Sequence, residues 1–314
     1  MPIRLLRFSE LDLAAWDACV NSAPQVVPYA ASWWLQATAG QWDALVKMEP
    51  ETGRYLAVWP LPVKRRLWGR EVVQPPFTQQ LGIIGPENDI EAWLEEREAF
   101  TAYGRFYTQL NTENGLPAAP SAPLTAQVRQ TYHLPLHQPY ETIQAGYCAD
   151  YRRRLRQQEA GASSFAVQTT PELEPLLLLF RQTQGPAAGL KNRHYALLRR
   201  LAAVLQARQL LTLYEARDQQ TGQLLAGALF VRYRSRLVYL FAAASAEGKK
   251  QAAPLALVDA AIQRHAGTPG LVLDFEGGMI PSIARFFANF GAVPVSYAAL
   301  SFTSQLPWYL QWLR

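Results

Sequence analysis

The sequence predicts a mixed α/β (α+β) chain folded as two domains, and three observations carry that expectation. First, 314 residues at 49% hydrophobic content are more than one compact core needs, at about 100 to 200 residues per domain. Second, short apolar runs of strand length alternate with longer runs of helical period. Third, a turn and strand, Thr52-Gly53-Arg54-Tyr55-Leu56-Ala57, return 169 residues later as Thr221-Gly222-Gln223-Leu224-Leu225-Ala226. Each is followed by a basic turn, Lys64-Arg65-Arg66 and Arg232-Tyr233-Arg234, a faint sign of internal duplication.

The first half opens with a helix read from Ser9, with Asp12 in its first turn and Leu13, Trp16 and Val20 on one side. A second helix is expected over 29–39. Strands over 44–48 and 55–59 flank the turn Glu49-Pro50-Glu51-Thr52-Gly53, which makes a hairpin. Two prolines and several amides place 74–82 in a loop, a helix follows over 90–101, and 114–123 is a turn-rich connector. A strand over 126–136 closes this half, with the boundary near Gln138, so the domains are 1–138 and 139–314. The second half begins with a long helix over 140–160 that carries Arg152, Arg153, Arg154 and Arg156. Helices over 171–183 and 192–208 follow, then three strands over 210–216, 224–233 and 237–243, apolar on both faces and therefore central in a covered sheet.

Composition narrows the function classes. A formal charge of +5, from 30 basic and 25 acidic residues, is below the density of a dedicated nucleic-acid binder. Cys19 and Cys148 stand far apart, in no metal or redox spacing, as expected for free thiols in a reducing compartment. The N-terminus lacks the pattern of a signal peptide, so a cytoplasmic location is expected. The run Leu176–Phe180 is a buried helix face, far short of the roughly 18 residues of a membrane span. His133, His137, His194 and His265 share no ligand spacing, so no metal site is expected. Neither a nucleophile elbow nor a phosphate loop is present.

From Leu210 onward the order is strand, Thr-Gly turn, strand, strand, loop, helix and strand. Leu273-Asp274-Phe275-Glu276-Gly277-Gly278 follows, then a helix, Ala284-Arg285-Phe286-Phe287-Ala288-Asn289, that closes on Phe290-Gly291. This order resembles the GNAT acyltransferase superfamily, and within it the Fem-type branch of tandem enzymes that build peptidoglycan interpeptide bridges from aminoacyl-tRNA. The resemblance covers about the last hundred residues. It implies two GNAT-like domains, each a mixed, mostly antiparallel sheet flanked by helices, the first degenerate and the second carrying the site. It also implies an acyl or aminoacyl transferase acting on an amine of a small molecule or peptide, with aminoacyl-tRNA or acetyl-CoA as donor. A CoA-dependent N-acetyltransferase and a non-catalytic binding protein are the alternatives.

Two departures bear on the donor. Where CoA users of the family carry a glycine-rich pyrophosphate loop, this chain has Ala244-Ser245-Ala246-Glu247-Gly248-Lys249-Lys250-Gln251-Ala252-Ala253-Pro254, with one glycine. Where many members place a tyrosine to protonate the leaving thiolate, it has Phe287.

The candidate residues each have a plainer alternative. Glu276 either accepts a proton from an attacking amine or, with Asp274, caps the helix near Pro281. Phe275 belongs to the same segment. Gly277 and Gly278 make a tight turn whose amides could also hold a carbonyl oxygen. Lys249 and Lys250 meet donor phosphates or stay solvated, and Gln79 and Gln80 line a substrate groove or decorate a loop. The arginines over 152–156 spread over a wide helix face, suited to a tRNA stem or to solvent. Ile280, Ile283, Ala284 and Phe287 follow a helical period that assigns Phe287 to the core face.

Overall fold

The computed structural model describes residues 3–303 except 68, 87–88 and 118–123, so most of the expected 114–123 connector lies outside the described residues. The first six strands are β1 (Ile3–Leu6), β2 (Trp42–Met48), β3 (Tyr55–Arg66), β4 (Gly69–Val72), β5 (Arg105–Gln109) and β6 (Thr125–Pro135). The second six are β7 (Phe165–Thr170), β8 (Leu211–Asp218), β9 (Leu224–Tyr233), β10 (Arg236–Ala244), β11 (Val272–Asp274) and β12 (Val293–Thr303). Contacts group the described residues into two units, one up to Arg129 together with those from Ser296, the other Gln130–Val295. This division differs from the expected cut near Gln138 in two ways. The break falls inside β6, because its end pairs with β11 (Leu134 opposite Leu273), and β12 joins the first unit by pairing with β5 (Leu300 opposite Thr108).

The two units repeat one plan. In the first the strand order is β1-β2-β3-β4-β5-β12, and in the second β7-β8-β9-β10-β11-β6. Within each unit, adjacent strands are antiparallel except at the fourth and fifth positions, where β4 runs parallel to β5 and β10 to β11. The repeat extends to hydrogen bonds in the hairpin turns. Gly53 N donates to Glu49 O and Glu49 N to Arg54 O, as Gly222 N donates to Asp218 O and Asp218 N to Gln223 O, all at 2.9 Å. Thr52 Oγ1 donates to the Glu49 carboxylate as Thr221 Oγ1 does to that of Asp218. Gly53 and Gly222 have φ of 71° and 70°, a conformation that glycine adopts without Cβ strain. Both hairpins also carry a bulge one step before the turn, between Lys47 and Met48 and between Ala216 and Arg217.

The first unit's helices are α1 (Leu13–Ser22), α2 (Ser32–Thr38), α3 (Ile90–Leu94) and α4 (Arg97–Thr101). Asp12 rather than Ser9 caps α1, its Oδ1 accepting from Ala14 N and Ala15 N at 2.8 and 3.0 Å, while Ser9 lies in a 3-10 turn. The second unit holds α5 (Tyr140–Ala145), α6 (Ala149–Gln157), α7 (Glu174–Thr183), α8 (Gly185–Ala188), α9 (Asn192–Ala207), α10 (Ala246–Lys250), α11 (Ala253–His265) and α12 (Pro281–Ala288). The long helix expected over 140–160 is broken between α5 and α6, where Cys148 N turns to the carbonyl of Asn289. Gly291 passes so near that a Cβ on it would lie 3.1 Å from Gly146 O. The core of this unit is built on α11, whose Leu255, Val258, Ala261 and Ile262 are at most 2% exposed.

Helix α12 turns Phe287 to the core, as its period predicts, but not the whole of that period. Ala284 and Phe287 are buried, but Ile280 and Ile283 are 57% and 40% exposed. The period is helical, yet Ile280 is the residue before the first turn, so only the later positions reach the core.

Candidate acyl-transfer site

Strands β10 and β11 pair only over Arg236–Val238 and Val272–Asp274. Beyond that point β10 continues for the length of Tyr239–Ala244 against β9 alone, with a bulge that leaves Leu240 outside the ladder. A cavity of about 750 Å³ opens along this segment. Helix α6 contributes Asp150, Tyr151 and Arg154 to its wall, the start of α11 contributes Pro254 and Leu255, and α12 contributes Ile283, Phe286 and Phe287. The first unit has no equivalent strand length, since β4 has four residues where β10 has nine.

The segment after β11 is a turn of unusual backbone. Glu276, Gly277 and Gly278 have φ of 47°, 114° and 134° in succession. Gly278 cannot carry a side chain, because a Cβ would lie 2.7 Å from the Tyr132 ring, and Gln130 Nε2 donates to its carbonyl at 2.8 Å. Glu276 is the non-glycine member, in a conformation that costs an L-residue about 1 to 2 kcal/mol. It is half-buried and lines the cavity. The helix-capping alternative does not hold for it or for Asp274, since α12 starts after Ile280 with no side-chain cap bond.

Asp274 braces this turn from behind. Its Oδ1 accepts from Thr131 Oγ1 at 2.6 Å and from Glu276 N at 3.1 Å, and its Oδ2 lies 3.2 Å from His133 Nε2. Burial alone would raise its carboxyl, but His133, Arg236 and Thr131 together hold it below the ordinary carboxylate range. Asp274 is 4% exposed and is engaged on both oxygens, so it acts on the site through Glu276. Phe275 is fully buried; its ring stacks on Phe287 at 4.6 Å and forms one end of the cavity.

The remaining candidates separate. Lys249 lines the cavity, whereas Lys250 points to Glu247 at 4.0 Å on the surface. Gln79 and Gln80 belong to the first unit, where Gln80 is 4% exposed, donates to Gln79 Oε1 and accepts from Thr112 N. They brace a loop and are not part of the second unit's cavity. The expected loop over 244–253 is largely the short helix α10, capped by Ser245, whose Oγ accepts from Gly248 N at 2.9 Å. Lys249, Gln251 and Ala252 also spend their amides on carbonyls of this segment. Gly248 is needed for packing, since a Cβ there would lie 2.2 Å from Leu225 O.

Of the arginines on α6, Arg153 and Arg154 pair with Asp150 at 2.6 and 2.8 Å. These bonds, Arg153 first, hold the exposed Asp150 carboxyl below its usual range. Arg154 also lines the cavity, a placement its sequence context did not reveal. Tyr239 and Tyr151 were not singled out either. Both are aromatic positions in regular elements and look like core, and only the splay of β10 from β11 turns Tyr239 toward open space. Among the described residues no group of three or more His, Cys, Asp or Glu side chains is arranged to hold a metal ion. Nor is any described helix long and apolar enough to cross a membrane.

Residues 147–279 match the family of acetyltransferase (GNAT) domains, a stretch that includes the bulged strand and the Glu276 turn and ends before the α12 residues of the cavity wall. No curated protein sequence matches the chain. Among solved structures it is similar to FemX, at 12% identity and a TM-score of 0.66, covering 95% of this chain and 97% of that one. It is also similar to a tandem GNAT protein from the clavulanic acid biosynthesis pathway, at 13% identity and a TM-score of 0.52, over 98% and 99% of the two chains. A third is the C-terminal domain of a lysylphosphatidylglycerol synthetase described as putative, from Agrobacterium fabrum, at 12% identity and a TM-score of 0.53, over 93% and 92%. At such identities the likeness is one of fold. Residues 147–279 of the second unit thus match the GNAT domain family, and the chain has a tandem GNAT fold similar to that of FemX.

Proposed function

We propose that the second unit transfers an activated acyl or aminoacyl group onto an amine of a small molecule or peptide, and that the first unit has no active site of its own. One observation carries this reading: Glu276, in a strained left-handed turn, lines a cavity at the open end of β10 and β11 within the matched GNAT domain. Its carboxylate takes the proton of the attacking amine. Leu240, bulged out of the ladder beside the cavity, offers its peptide group to the donor carbonyl. Apolar walls from Phe275, Phe286 and Phe287 exclude water, so most of the catalysis is positioning.

For the donor we favour an aminoacyl ester, as on tRNA, because α10 consumes the amides that would otherwise cradle a pyrophosphate. A CoA thioester is the second reading. Helix α11 begins beside the cavity without a side-chain cap, with Lys249 nearby, and such a helix start attracts phosphate. The free Cys19 and Cys148 accord with work in the reducing cytoplasm.

The test offers the protein alanyl-tRNA and acetyl-CoA, each with a panel of amino acids and lysyl peptides, beside calorimetry with CoA. Transfer from alanyl-tRNA without micromolar CoA binding supports the leading reading. Micromolar CoA affinity with acetyl transfer replaces it by the second, and transfer from neither donor refutes acyl transfer.

A further inference from the structure

We infer that the Tyr239 hydroxyl gives its proton to the leaving atom of the acyl donor, in the place that Phe287 leaves without an acid. This rests on the acyl-transfer reading of the same cavity. Phe287, 3% exposed and stacked on Phe275, has no proton to give. The Tyr239 ring stands edge-on to it at 6.2 Å and lies 6.1 Å from Phe275, so another aromatic side chain of the cavity brings a hydroxyl to the neighbourhood. Tyr239 is the last residue of β10 before the Leu240 bulge and lines the cavity.

The hydroxyl is also available. Several tyrosine hydroxyls among the described residues are engaged, Tyr103 with Asp43, Tyr140 and Tyr147 with Asp259, and Tyr151 with Phe286 O, whereas the buried Tyr214 hydroxyl has no hydrogen-bond partner. The Tyr239 ring is fixed by Phe230, Phe275 and Phe287, yet among the described residues no group hydrogen-bonds its hydroxyl. A half-buried phenol without a protein partner, facing a cavity, fits a partner supplied by the ligand. Burial, and then Tyr151, push its pKa up, so the proton is in place at neutral pH.

The step balances. The amine nitrogen bonds to the donor carbonyl carbon and gives its proton to the Glu276 carboxylate. The bond from that carbon to the donor's ester oxygen, or thioester sulfur, breaks with its electron pair on the departing atom, which takes the Tyr239 proton. After the products leave, the Glu276 carboxylic acid gives its proton to solvent and the Tyr239 phenolate takes one back, so both groups are restored.

The test is Tyr239→Phe in the full chain, with alanyl-tRNA and acetyl-CoA as donors. Because the removed oxygen has no protein partner, the unfolding midpoint should hold, while kcat falls about 10²-fold at unchanged KM. A second protein with 3-fluorotyrosine at position 239 keeps the hydroxyl and should recover most of the rate that Tyr239→Phe loses. Undiminished kcat in Tyr239→Phe, or a 3-fluorotyrosine protein as slow as Tyr239→Phe, overturns the role of Tyr239 while acyl transfer by the unaltered chain stands. Transfer from neither donor by the unaltered chain overturns acyl transfer, and the Tyr239 role with it.

Discussion

Substituting Asp274 by Asn tests how the Glu276 turn is held. The change keeps the side chain's shape but removes its charge and one of the two acceptor atoms that face Thr131, Glu276 N and His133. A hydrogen bond to a charged group is worth about 1.5 to 3 kcal/mol, and leaving a buried partner unsatisfied costs about 1 to 3 kcal/mol. A loss of about 2 to 4 kcal/mol is therefore expected. At about 2 to 4 °C per kcal/mol for a domain of this size, the thermal midpoint should fall by roughly 4 to 16 °C. Because the folded carboxyl is held below its unfolded value, its contribution is present at neutral pH and lost as pH falls through the folded value. The variant should thus lose its deficit in acid. Urea unfolding at several pH values reads both effects. A variant within about 0.5 kcal/mol of the parent at neutral pH would refute the brace.

Two further outcomes follow from the same geometry. Gly248→Ala sets a Cβ against the backbone of Leu225 at 2.2 and 2.8 Å and should cost about 1 to 3 kcal/mol by overpacking; an unchanged urea midpoint would contradict the close approach. His265 is 8% exposed, and burial, with Arg232 and Arg264, holds its pKa down to about 4. The unfolded chain takes that proton near pH 6.5 and the folded chain only near 4, so stability should decline as pH falls across this window. His265→Gln should flatten the decline, and an equal slope in both proteins would count against it.

The secondary plan was legible where the chain writes it locally. The Thr-Gly turns are spelled by residue type, and their shared hydrogen bonds, bulges and strand order make the repeat far firmer than the sequence match. Strand β10 was readable because its residues are apolar on both faces. Strands β1, β4, β5 and β7 were missed: each is six residues long or shorter, and β1, β5 and β7 pair with strands distant in sequence. The break between α5 and α6 was hidden for the same reason, since the carbonyl of Asn289 takes Cys148 N.

The site was legible in part. Asp274 through Gly278 were found as a segment, but a sequence cannot separate a carboxylate that braces from one that lines a cavity. That distinction depends on Thr131 and His133 arriving from β6. Lys249 and Lys250 are adjacent and chemically alike, yet one turn of α10 puts one at the cavity and the other beside Glu247. Tyr239 carried no signal at all, because its role depends on β10 outrunning β11.

The central claim is that Glu276 does chemistry rather than holding the turn, and Glu276→Gln separates the two. The measurement is the rate of amine acylation from alanyl-tRNA and acetyl-CoA, beside the urea midpoint, for the variant and its parent. A proton acceptor predicts a midpoint within about 0.5 kcal/mol and a rate lower by about 10² to 10⁴. A rate equal to the parent's, with a stability loss of about 0.5 to 2 kcal/mol, would contradict the claim and make Glu276 a structural residue.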